Sequence, residues 1–271
     1  MAKARRRNIG RGYWSKVARV GGGKVAKFFP EHVSKKEARQ IIKAHDIFVR
    51  FLREAEIEVP ETRIVKKELD SGEFRLRILQ NRFEPRDLGE NYLKRASKGQ
   101  AIKFAEQVVT ETLKVAHFNR EIAQSRYGVI IGADFKPDNV AVVDGKIVFI
   151  DTFSPHIRSN ADPKHVNPAF GRYFAKRGFL LEKLTRGYIS KTVYEPKKRM
   201  ASLLAELTRI RPDLKKEFLK IVKETINRDP SPEIREEALA GVKFWRVLNA
   251  KVMGKTISLL GKRKGMEIKL G

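Results

Sequence analysis

The sequence predicts an α+β chain in two lobes, a small antiparallel sheet with one helix followed by a mainly helical lobe. Three observations carry this prediction. Short apolar runs separated by glycine-bearing turns fill the first part of the chain. Apolar residues recurring at three- and four-residue spacing dominate the last part. Between them, Val140 to Val143 and Lys146 to Phe149 flank Asp144-Gly145, a dipeptide suited to a two-residue type I′ hairpin turn.

The 271 residues, 41% hydrophobic, can bury a sizeable core. Lysine and arginine number 58 against 32 acidic residues, a net charge of +26 that favours anionic partners such as RNA, DNA or acidic proteins. The high charge content and the lack of cysteine also fit a thermophile bias. Without cysteine there are no disulfides, zinc-thiolate sites or cysteine nucleophiles. No apolar run approaches the roughly 20 residues that span a bilayer. Met-Ala-Lys-Ala-Arg-Arg-Arg at the start lacks the apolar stretch of a secretory signal, so a cytoplasmic location without membrane contact is expected.

Taken in order, Gly10-Arg-Gly12-Tyr-Trp-Ser15-Lys-Val17 opens the chain with glycines that permit a tight turn and let backbone N–H groups approach phosphate oxygens. Val17 to Val20 and Lys24 to Phe29 then read as two strands around Gly21-Gly22-Gly23. Ser34-x-x-Glu37 is a capping box, and it opens a helix with Ala38, Ile41, Ile42, His45, Phe48, Phe51 and Leu52 on one stripe. Thr62 to Glu68 and Phe74 to Phe83 flank Asp70-Ser-Gly72 as a second hairpin. The polar stretch Gln80 to Pro85 connects the lobes. Ser97-x-x-Gln100 caps a helix running to about Ser125.

The central hairpin brings Asn139 and Asp151 together at its open end, because its two strands are antiparallel and of similar length. An amide oxygen beside a carboxylate is a hard-oxygen pair of the kind Mg²⁺ takes. Asp134, in the loop entering the hairpin, is placed to accept a hydroxyl proton. Beyond it, Ser154 to Pro168 is polar and lacks a regular pattern, and residues 199 to 210, 213 to 227 and 232 to about 248 read as helices. The five histidines show no paired metal-ligand spacing. The basic ends Ala4-Arg-Arg-Arg7 and Lys262-Arg-Lys264 read as solvated charge, and Lys197-Lys-Arg199, uniformly basic like them, supports a partial basic patch at most.

Asp134-Phe-Lys-Pro-Asp-Asn139 followed by Ile150-Asp151 resembles the catalytic loop and metal-binding aspartate of the protein-kinase-like superfamily, in the form of a divergent bacterial or archaeal-type phosphotransferase. The resemblance implies a bilobal protein-kinase-like fold, with residues 1–84 as a nucleotide-binding lobe and 85–271 as the lobe of the catalytic loop and helices. It implies ATP and Mg²⁺ as cofactors. By the same resemblance Asp134 orients the acceptor hydroxyl, Lys136 contacts the γ-phosphate, and Asn139 and Asp151 hold the metal. Gly10, Gly12, Ser15 and Val17 match the glycine-rich loop, with Ser15 in place of its third glycine. Lys27 matches the strand lysine that pairs with ATP phosphates, and Lys24 is its rival. Glu37 is the match for the glutamate that fixes this lysine, as well as a capping residue. The connection at Gln80 to Pro85 would bond adenine.

The resemblance runs from about residue 8 to residue 153, with departures. Gly132-Ala133 stands where His-Arg is usual, Asp151-Thr152-Phe153 replaces Asp-Phe-Gly, and the downstream Ala-Pro-Glu signature has no counterpart. The implied activity is transfer of the γ-phosphate of ATP to a hydroxyl acceptor. Lys136 favours a Ser/Thr protein acceptor, and the missing downstream landmarks favour a small molecule. A non-catalytic nucleic-acid or ribosome-binding module of kinase-like fold is the competing class, against which the full set of phosphate and metal residues counts. The excess charge adds an expectation of nonspecific nucleic-acid contact.

Overall fold

Strands form here where branched and aromatic residues alternate with polar ones, and glycines close the turns between them. The computed structural model describes residues 8–11, 16–121, 129–152, 157–159 and 196–247. Strands β1 (Asn8–Arg11), β2 (Lys16–Val20), β3 (Lys24–Val33), β4 (Thr62–Glu68) and β5 (Phe74–Asn81) make one antiparallel sheet in the order β1-β2-β3-β5-β4. Gly22 and Gly23, at φ 72° and 66°, turn β2 into β3. Strand β3 continues past Phe29, where the sequence pattern ends it. The register shifts between Phe28 and His32, and Pro30, which has no N–H to give a ladder, falls in that irregular stretch.

Helix α1 (Lys35–Glu54) starts at the expected capping box, with Ser34 Oγ accepting from Glu37 N at 3.3 Å and Glu37 Oε2 accepting from Ser34 N at 2.9 Å. Its first turns pack Ala38 and Ile41 against Val33, Ile64, Phe74, Leu76 and Ile78 of the sheet. Further along, Phe48, Phe51 and Leu52 enter a second core with Phe104, Val108, Phe149, Leu204 and Phe218. One helix thus belongs to the cores of both the sheet and the helical region.

That region contains α2 (Gly89–Arg95), α3 (Lys98–Phe118), α4 (Pro196–Ile210), α5 (Lys215–Asn227) and α6 (232–247). Helix α3 carries the second expected capping box, Ser97 with Gln100, and ends in a π turn over 119–121; the rest of the span expected to reach Ser125 lies outside the described residues. Strands β7 (Val140–Val143) and β8 (Lys146–Phe149) form the central hairpin. Strand β6 (Val129–Ile131) pairs with β9 (Ile157–Ser159), so part of the segment read as irregular is a strand; its alternation is only three residues long, too short to register as a pattern. A five-stranded antiparallel sheet with one helix, joined through the β7–β8 hairpin to a helical region, is an α+β architecture. No described helix is long and apolar enough to cross a membrane.

Candidate active site

The site is built on the β7–β8 hairpin. Asp144 and Gly145 both adopt positive φ, 49° and 74°, as a type I′ turn requires. That turn fixes the register, with Val140 opposite Phe149 and Ile150 N donating to Asn139 O at 2.9 Å. Asp151 follows immediately. Asn139 Nδ2 donates to the backbone oxygen of Asp134 at 3.0 Å, which folds the entering loop back on itself.

Three contacts hold that loop in place. Buried Asn119, at the end of α3, takes both backbone polar groups of Ile131, accepting from its N and donating to its O at 2.7 Å each. Gly89, which opens α2, lies so close that a Cβ there would sit 2.5 Å from Pro137 O and 2.7 Å from Val140 Cγ2. Phe149 N donates to Glu58 O at 2.8 Å, fastening the hairpin to the chain that leaves α1.

The carboxylate of Asp134 meets two cations. Arg199 Nη1 pairs with Oδ1, and Lys136 Nζ lies 3.1 Å from Oδ2. Burial alone would raise the Asp134 carboxyl, but Arg199 and then Lys136 outweigh it and hold its pKa below the ordinary carboxylate value. Arg199 is itself only 5% exposed. It stands in the first turn of α4, whose backbone at Lys197 is crossed by Gly241 of α6 so closely that a Cβ would collide.

Lys27 reaches the same place from the sheet. It pairs with Ile78 in the β3–β5 register, on the face turned toward α1, and its Nζ donates to Ile150 O at 2.6 Å. Burial lowers the pKa of this ammonium, while the charge of Asp151 opposes that shift. Val17 pairs with Lys27, and Gly10 of β1 pairs with Val17. Gly12 and Ser15 lie outside the described residues. The structure therefore gathers Lys27, Asp134, Lys136, Asn139 and the start of the Asp151 segment around one hairpin end. Glu37 stands apart in this respect. Its carboxylate serves the capping box, and the charge acting on Lys27 is that of Asp151. Lys24, the rival, sits 3.6 Å from Glu61 at the strand's outer end.

Among the described residues no group of three or more His, Cys, Asp or Glu is gathered for a metal. The pair Asn139 and Asp151 is instead of the kind that Mg²⁺ completes with phosphate oxygens and water.

A family model spans residues 19–249, from the sheet through the last described helix. The chain belongs to DUF6206, a family of unknown function. Among solved structures, the GDP and kanamycin complex of APH(2")-IIia is similar to this DUF6206 chain at 14% identity and a TM-score of 0.38, over 84% of this chain and 95% of that one. No curated protein matches it.

Sequence reasoning missed Arg199 in the DUF6206 site, counting it in a basic run that supports a partial patch. Only Lys197 of that run is exposed; Lys198 is half-buried and Arg199 is buried. A signal for this was present. Arg199, Leu203 and Leu207 recur every four residues, which puts the arginine on the apolar stripe of α4 that faces the core.

Proposed function

We propose that this protein is an ATP-dependent phosphotransferase, with residues 1–84 as its nucleotide-binding lobe and 85–271 as its catalytic lobe. The observation that carries the reading is the Lys27–Ile150 bond, which brings the sheet's lysine to the residue beside Asp151 across the two lobes. Lys27 would bind the phosphates with the glycine-rich turn of Gly10, Gly12, Ser15 and Val17, and Asn139 and Asp151 would hold Mg²⁺. The donor set fits, since both supply hard oxygen atoms. Bound there, the metal would neutralise phosphate charge. Gln80 Oε1, buried on β5 with no hydrogen-bond partner among the described residues, is an acceptor on the same face of the sheet as Lys27 that suits a nucleobase donor.

In the transfer the acceptor oxygen bonds to the γ-phosphorus, the bond from that phosphorus to the bridging β–γ oxygen breaks, and ADP leaves. The acceptor's proton passes to Asp134 or to water. With its pKa held low, Asp134 is a weak base and a good orienting acceptor, which suits a reaction in which positioning outweighs proton removal. Lys136, already beside Asp134, would neutralise charge on the transferred group. The acceptor is a hydroxyl on a Ser/Thr side chain or on a small molecule. Incubation with Mg²⁺ and γ-labelled ATP, first alone and then with metabolite and protein pools, tests the reading; absence of any transfer together with absence of ATP binding would sink it.

A second activity is favoured by one feature of the sheet. The β4–β5 register sets Lys67 opposite Arg75, with Arg63 and Arg77 on the same face. Like charges directly opposite each other cost stability, and here they are kept. The helical lobe differs, interspersing its charges in pairs such as Lys94–Glu90, Lys98–Glu217 and Arg209–Glu206, as thermophile surfaces do. This basic sheet face, where Arg75 donates to His32 and His32 lies 3.8 Å from Glu73, supports nonspecific nucleic-acid contact by a cytoplasmic protein.

A further inference from the structure

His45 is fully buried on α1, and among the described residues neither ring nitrogen has a hydrogen-bond partner. The nearest charge on its own helix is Asp46, whose Oδ1 is 3.7 Å from Nδ1, too far for a hydrogen bond. Burying an imidazole with both nitrogens unpaired forfeits its hydration and returns nothing, so a residue kept in that state calls for a reason. Its place supplies one. His45 follows Ile41, which packs on the sheet beside Ile78, and precedes Phe48 of the helical core, so it sits where the two cores meet. Lys27 is the register partner of Ile78 on that same face, and its charge acts on His45. Glu37, the residue whose sequence position suggested a partner for Lys27, is committed to the cap of α1.

We propose that His45 is the positioning residue for Lys27, its neutral imidazole accepting a hydrogen bond from the ammonium when bound phosphate draws Lys27 away from the Ile150 carbonyl. This rests on the phosphotransferase reading. The imidazole is suited to the task because burial lowers its pKa and the nearby Lys27 charge adds to that, whereas Asp46 pulls the other way. A proton held on Nδ1, the side of Asp46, leaves Nε2 as the acceptor. Carrying the lysine's partner on α1 as a neutral group leaves the full ammonium charge for phosphate.

The test is MgATP titration by calorimetry on wild type, His45→Phe, His45→Gln and Lys27→Ala, with melting temperatures alongside. His45→Phe removes two orphaned polar atoms, so it should melt no lower than wild type while binding MgATP about tenfold more weakly, the loss of roughly one hydrogen bond to a charged group. His45→Gln, whose side-chain oxygen can accept, should bind within about threefold of wild type. His45→Met carries the same test as Phe where the larger ring does not fit. In wild type, the ring ¹⁵N resonances of His45 should shift on adding MgATP. Wild-type affinity in His45→Phe, with Lys27→Ala weakened, overturns the role of His45 and leaves the phosphotransferase reading standing. If wild type binds no MgATP at all, that reading fails and this inference with it.

Discussion

The carboxylate of Asp134, on the loop entering the central hairpin, is held by the guanidinium of Arg199, which arrives from the first turn of α4 on the far side of residues 153–195. A group from a later helix thereby fixes the charge and direction of the residue proposed to meet an acceptor hydroxyl. Arg199→Met should lower turnover and cost about 1–3 kcal/mol of stability, since among the described residues Asp134 then keeps only Lys136 as a charge partner. Arg199→Lys restores the charge but loses the planar guanidinium and should recover part of each. Urea titration with single-turnover assays checks this, and an Arg199→Met protein of unchanged stability and turnover would remove Arg199 from the site.

Asp134→Asn should reduce phosphate transfer by about 10²–10⁴-fold while nucleotide affinity stays within a few-fold, because the proposed role of this side chain is toward the acceptor and not ATP. Asp151→Ala should act in the opposite way, abolishing the dependence of ATP binding on Mg²⁺. Titrations with and without the metal separate the two. A mutant of Asp134 that keeps most of its turnover number contradicts its assignment.

These residues were legible in the sequence to different degrees, for physical reasons. The hairpin was read correctly because Asp144-Gly145 has a strong local preference for positive φ, and the register of Asn139 follows from it. The two capping boxes were equally local. Arg199 was missed because burial overrides residue type, and His45, although its place on the apolar stripe was read, gave no sign of what it does there. Each lies on the apolar stripe of its helix, and what a polar side chain does there is decided by a partner far away in sequence or by the lack of one. Helix α2 went unread because its seven residues give too little periodicity, although Gly89 marks its close approach to the loop that enters the β7–β8 hairpin.

Gly89 yields a prediction of its own. A methyl group there would press on Pro137 O and Val140 Cγ2, backbone and buried side chain that cannot move aside without shifting the loop that carries Asn139. Gly89→Ala should destabilise the protein by about 1–3 kcal/mol through overpacking and should impair transfer more than nucleotide binding. An Ala variant with wild-type melting and activity would show that the loop yields freely.

His117 of α3 lies between two carboxylates, with Nε2 2.9 Å from buried Asp229 and Nδ1 3.1 Å from Glu121. Burial tends to lower its pKa, but the hydrogen bonds and charges of Glu121 and Asp229 outweigh this and raise it. A folded-state pKa above the unfolded value of about 6.5 means that the stabilisation is complete below that pH and is lost as pH rises through the folded pKa. Denaturant midpoints should therefore fall between mildly acidic and alkaline pH in wild type, and His117→Gln should flatten that fall. A slope unchanged by the substitution would assign it to other groups.

The sheet face of Arg63, Lys67, Arg75 and Arg77 gives the remaining prediction. If it meets phosphate backbones, binding of a homopolymeric RNA should be weak, about 10⁻⁴–10⁻⁶ M near physiological salt, and its logarithm should fall linearly with that of salt concentration because counterions are released. Replacing Lys67 and Arg75 with serine removes two of the four charges, so the slope should shallow by about 1.4–1.8 units if both contact phosphates, at 0.7–0.9 for each contact. The same change should raise melting temperature slightly, since a like-charge cross-strand pair is relieved. Anisotropy titrations across salt concentrations read the first effect and thermal melts the second. An unchanged salt slope with higher stability would mean that the face is merely tolerated, and nanomolar, sequence-selective binding would mean that base contacts, not charge on this sheet, dominate recognition.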